Sequence, residues 1–247
     1  MENLATYKPP DLKIFLEDYR PFLLEVKKRV VRTLVVFIIA TVAGFFLYEK
    51  IIKLLIDLLS LKGINIVFTS PFQFINLAIS CGFACGIIAS FPLLVFQFVS
   101  FLKPALREKE YKIITLLLPF SFILFTLGFL FGGLIMKWQI EIFLDKSVSL
   151  GIGNILDISR LLTTVLLTSV LMGVSFQFPI VLLMLLRFGL IKMSSLRRMR
   201  PGIYLASFIF SMLLPPDSIL ADILLTLPLI ILFELTLLLN SMFGKKA

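Results

Sequence analysis

Residues 113–136 run without one charged side chain, from Lys112 to Lys137, and this is not the only such run in the chain. About 20 apolar residues suffice for a helix to cross a bilayer, and lipid forces the backbone polar groups of that segment to bond to one another. Reading between charges gives six candidate spans, at about 31–48, 71–101, 113–136, 161–186, 202–215 and 219–240. Pro92 and Pro179 interrupt the second and fourth, which predicts kinks there. The fifth differs, because "LLPPDS" stops it after about 15 residues, short of a ~30 Å hydrocarbon core. The last two helices are therefore expected to be short and to form a hairpin that spans incompletely or thins the local bilayer.

Composition supports the membrane reading. The 247 residues are 59% hydrophobic and 16% charged, with mean hydropathy +1.04, which leaves too little polar surface to cover a soluble globule. The expected fold is an all-α integral membrane protein, a single transmembrane domain over 1–247 with residues 1–30 as a cytoplasmic amino-terminal segment. The mixed-charge opening "MENLATYKPPDLKIFLEDYR" does not read as a cleaved signal.

Orientation follows from the basic residues. Eighteen of the 24 Lys and Arg fall in the tail up to Arg32, the 103–112 and 187–200 connectors and the carboxyl end. The six on the other side are Lys50, Lys53, Lys62, Lys137, Lys146 and Arg160. This asymmetry predicts both termini in the cytoplasm. The net charge of +9 sits beside apolar spans, where anionic lipid explains it without nucleic acid.

Two stretches on the opposite side, about 49–70 and 137–160, are long enough for short interfacial helices, and "EKIIKLLIDLLSLKG" has an amphipathic pattern. Gly82 and Gly86, and Gly128 and Gly132, have the small-xxx-small spacing that lets helices approach closely. Cys81 and Cys85 read as small buried residues.

Catalytic chemistry finds little support. Without histidine there is no HExxH zinc site, no Ser-His pair and no Cys-His pair, and no phosphate loop occurs. No cofactor or metal is expected. What remains is a set of polar residues with costly surroundings. Glu25, in "LLEVKKRVVRTL", has Lys28 and Arg29 at helical spacing, so it either makes a helix-surface ion pair or joins Glu110 in binding a cationic partner. Gln177, in "GVSFQFPIVLL", either makes an interhelical hydrogen bond within the monomer or meets a partner's transmembrane helix. Glu234, in "LPLIILFELTLLL", either snorkels to water or lines a path.

In "PFLLEVKKRV", "FTSPFQF", "FPLLVFQFVSFLKPALREKE", "GVSFQFPIVLLMLLRFGLI", "LRRMRP" and "LLPPDSILADILLTLPLIILFEL", in that order, the chain resembles the TatC family, the large membrane subunit of the twin-arginine protein translocase. The resemblance covers roughly residues 20–240. It implies recognition of signal peptides with paired arginines and export of folded proteins driven by the proton-motive force. It also implies small single-span partners of the TatA/TatB type, an oligomeric complex, and a bacterial cytoplasmic membrane, or otherwise a thylakoid or mitochondrial inner membrane. By the same resemblance Glu25, Glu110 and Phe101 form the signal-peptide site, while Glu108 has no matching role. Two positions depart from the family pattern: Gln177, where Glu is frequent, and Lys27, where Arg is common. Apart from the resemblance, a small secondary transporter or channel is the other reading, with Gln177 and Glu234 lining the path.

Overall fold

The computed structural model describes residues 12–59, 65–102, 108–151, 155–187, 189–215 and 218–243. The first helix, α1 (Leu12–Phe46), leads through the short α2 (Tyr48–Leu58) and strand β1 (Asn65–Val67) into α3 (Gln73–Leu102). Helix α4 (Glu108–Ser149) is followed by strand β2 (Ile155–Asp157), α5 (Ile158–Ser175) and α6 (Phe178–Arg187). The chain ends with α7 (Met193–Arg198), α8 (Arg200–Met212) and α9 (Ile219–Phe243).

The described residues are mostly helical, as the hydropathy of the chain requires. Five stretches among the described residues are long and apolar enough to cross a membrane: Leu24–Phe46, Gln73–Gln97, Leu118–Ser149, Ile158–Leu186 and Ile219–Leu238. Their outer faces carry exposed Ile39, Leu134 and Ile231, surface that only lipid or partner helices can cover favourably. The chain is a multi-pass membrane protein.

Two expectations change. The fifth helix is short as expected: α8 has 13 residues that reach only about 20 Å, and it is not among the five. Its hairpin partner α9 is not short: 25 residues extend about 37 Å. Helix α4 does not end near residue 136 but runs on to Ser149, converting much of the expected 137–160 loop into helix. The fourth span is one membrane passage in two pieces, α5 and α6, because Pro179 supplies no N–H to the ladder.

Helix α1 packs on α3, α4 on α5, α3 on α5, and α8 on α9, while α6 and α4 also touch α9. One cluster joins Leu77, Cys81, Met136, Ile140, Leu162 and Val165 from α3, α4 and α5. A second joins Leu124, Met172, Phe176, Leu225 and Leu229 from α4, α5, α9 and the residue that ends α5. The glycine spacing has the expected consequence. A Cβ on Gly82 would lie 2.7 Å from the Thr41 carbonyl oxygen on α1, and one on Gly132 would lie 2.8 Å from Ser169 Cα on α5. Helix α2 has two faces: Ile51, Ile52, Leu55 and Ile56 lean on the first cluster, while Leu54 and Leu58 stay exposed.

The two strands were not foreseen. They pair in parallel with Asn65 opposite Ile155 and Val67 opposite Asp157. Three-residue strands carry no readable periodicity, and only the proximity of α3 and α5 brings them together.

Candidate functional site

Arg29, where α1 enters its span, meets Gln97, where α3 leaves its own. There Glu25 accepts from the Arg29 guanidinium at 2.5 Å, one helical turn away. The same guanidinium donates to the backbone oxygen of Gln97 on α3 at 2.9 Å, and the Thr33 hydroxyl donates to Gln97 Oε1 at 3.0 Å. Arg29 thus ties the carboxylate of α1 to the last full turns of α3. Glu25 remains about half exposed, at 55%, so one of its oxygens is open to a further cation. The i, i+4 ion pair expected from the sequence exists, with Arg29 as its cation.

Phe101 lies in the last turn of α3 and Glu110 in the first turn of α4, with Glu108 as the first residue of that helix. The side chains of all three lie outside the described residues. By chain continuity, the six residue steps from Leu102 to Glu108 cover at most about 21 Å. The start of α4 therefore shares the end of the bundle that holds Glu25.

Gln177 sits at the break between α5 and α6. Its backbone oxygen accepts from Ile180 and Val181, starting the new helix. Its side chain turns inward, 8% exposed, towards α4. There the Ser121 hydroxyl donates to Gln177 Oε1 at 2.6 Å, and Gln177 Nε2 donates to the Ser121 backbone oxygen at 3.0 Å. The interhelical hydrogen bond within the monomer is present. An amide has two donors and two acceptor sites, so one of each is left for another partner.

Glu234, on α9, accepts from Arg200 Nη2 at 2.9 Å and from the Tyr204 hydroxyl at 2.5 Å. Both partners come from α8, so the carboxylate clamps the hairpin together. Gln177 and Glu234 belong to separate hydrogen-bond clusters.

The opposite end holds a polar cluster that sequence reasoning missed. Asp157 caps α5 by accepting from the Arg160 backbone N–H at 3.1 Å. Its other oxygen accepts from the Thr69 hydroxyl at 2.8 Å and from Gln73 Nε2 at 2.7 Å. Burial alone would raise its pKa, but these hydrogen bonds, with one more from the Ser159 backbone, outweigh it and hold the carboxyl below its ordinary range. The motif "FTSPFQF" carried Thr69 and Gln73, yet only the fold brings them to Asp157.

Comparison with known proteins gives one consistent result. Residues 21–228 match the family model described as Sec-independent protein translocase protein (TatC). The chain is 29% identical to TatCy of Bacillus subtilis over 230 residues, covering 90% of this chain and 88% of that one. It is 27% identical to TatC of Escherichia coli K12, covering 89% and 88%. A crystal structure of the twin arginine translocase receptor TatC in DDM superposes with a TM-score of 0.78 at 26% identity, covering 88% of this chain and 98% of that one.

Proposed function

The chain belongs to the TatC family of Sec-independent protein translocase proteins, and from that premise we propose that it is the subunit that recognises twin-arginine signal peptides. It acts in a complex with small single-span subunits to export folded proteins across a bacterial cytoplasmic membrane, using the proton-motive force. Both termini face the cytoplasm, which requires six crossings and makes α8 bridge a locally thinned bilayer.

The observation that carries this reading is the Glu25–Arg29 pair. Glu25 already holds one guanidinium and keeps a second oxygen exposed, so the site is complementary to arginine before any ligand arrives. Glu110 supplies the second carboxylate and Phe101 an apolar wall. Gln177 serves the same assembly from beneath the surface that a partner helix meets, its buried amide holding the α5–α6 break to Ser121 on α4. No observation favours the transporter reading, since its two expected path residues are engaged in different clusters.

The test is the affinity of a twin-arginine peptide for Glu25→Gln, Glu110→Gln and Glu108→Gln proteins in nanodiscs. The first two should weaken binding about tenfold, equivalent to about 1.4 kcal/mol, and the third much less. Equal losses from all three that vanish with added salt would mean a diffuse field and no receptor.

A further inference from the structure

Between α1 and α3 runs an open groove of about 500 Å³, lined chiefly by Val26, Val30, Leu34, Phe37 and Leu94, with Arg29, Thr33 and Gln97 towards its basic end. One of its wall groups lacks a partner. Gln97 is 6% exposed and its Nε2 makes no hydrogen bond among the described residues, although its Oε1 accepts from Thr33. A buried amide donor without an acceptor is costly, so a group that enters the groove is expected to satisfy it.

We propose that this groove is a binding site for an anionic diacyl phospholipid, with its phosphate at Lys27 and Arg29, an ester carbonyl on the Gln97 amide and one acyl chain along Leu34, Phe37 and Leu94. The chemistry of the wall is graded in the same order as the lipid. Exposed Lys27 stands one turn from Val30, Gln97 is held beside Thr33, and only apolar side chains of α1 follow as far as Phe37. From Lys27 to Phe37 the helix rises about 15 Å, enough to pass from the phosphate plane into the hydrocarbon. Further positive charge at Lys28 and Arg32 favours an anionic headgroup over a zwitterionic one. A transmembrane peptide helix fits less well, because it brings no negative charge to Lys27 and Arg29, although a helix carbonyl keeps a second lone pair for an amide, as Ser121 shows with Gln177.

The experiment places the full-length protein in phosphatidylcholine nanodiscs containing phosphatidylglycerol with a photoreactive acyl chain, and maps labelled residues by mass spectrometry. Labelling should concentrate on Val30, Leu34 and Leu94, and an acyl-matched phosphatidylcholine probe should label them several-fold less. Gln97→Leu should lower the phosphatidylglycerol labelling about fivefold, the worth of one hydrogen bond. Leu94→Trp, which fills the groove, should abolish it, and Lys27→Gln should reduce the headgroup preference. Equal labelling by both probes, unchanged in Gln97→Leu and Leu94→Trp, would reduce the groove to ordinary lipid-facing surface and overturn the proposal. Stoichiometric displacement of the probe by a twin-arginine peptide, with no preference between headgroups, would assign the groove to peptide and overturn it as well.

Discussion

Ser121 on α4 and Gln177 between α5 and α6 lie 56 residues apart and exchange two hydrogen bonds, one in each direction, in a buried setting. The pair joins the two pieces of the fourth span to the third at the point where proline has broken the helix. It also fixes which way the amide faces, because a hydroxyl can donate only to the amide oxygen here while the backbone carbonyl can only accept.

Replacing Gln177 by Leu removes both bonds and leaves the Ser121 carbonyl to its own helix. Interhelical hydrogen bonds in membranes couple by about 0.6 kcal/mol on average, up to about 1.7. A double-mutant cycle with Ser121→Ala, read by unfolding in detergent, should return a coupling in that range. The same Leu variant should weaken co-purification with the small subunits; normal assembly would count against that role of Gln177.

Gln177→Glu should be tolerated. A neutral carboxyl can accept from the Ser121 hydroxyl and donate to the Ser121 carbonyl, reproducing both bonds. An ionised one would face that carbonyl without a proton. Thermal unfolding in detergent should place Gln177→Glu close to the parent protein and above Gln177→Leu, which can make neither bond.

Gly82→Ala should be the most damaging of the glycine changes on α3, because the new Cβ meets the Thr41 backbone oxygen at 2.7 Å and the helices themselves must part. Gly86→Ala meets the Thr41 hydroxyl and the Phe37 ring, side chains that can rotate away, and should cost less. Gly202→Ala meets nothing within 4 Å on the exposed first turn of α8 and should stabilise by about 0.5–1 kcal/mol. The order of the three melting temperatures checks the argument.

Asp157 predicts an acid sensitivity at the other end. Its folded carboxyl lies below its ordinary value of 3.8, so it contributes stability above 3.8 that is lost as pH falls through the folded pKa. Asp157→Ala should cost about 0.5–2 kcal/mol for the lost helix cap. Asp157→Asn should keep much of the cap and flatten the acid dependence in that window. Unfolding curves in detergent from pH 7 down to about 3 would read both.

The sequence by itself determined that the chain spans a membrane, that it does so as helices, and where the basic end lies. Those properties follow from the solvent, because hydrocarbon accepts neither charges nor unpaired backbone groups over the length of a span. It also announced the glycine contacts and the motifs of the TatC family, which are local in the chain. What tertiary structure decided were the partners. Glu25 had two cations within reach, Lys28 and Arg29, and the position of Gln97 on α3 selects the arginine, whose fork can reach both. Ser121, a small residue in an apolar run, carried no signal of its own until α4 came to lie beside Gln177. Thr69 and Gln73 lie 88 and 84 residues from Asp157 and meet it only because α3 and α5 pack together. The lengths of α4 and α9 escaped the charge-bounded reading for a related reason. A helix leaving the membrane goes on for as long as neighbouring elements support it, and a charge marks only where the lipid ends.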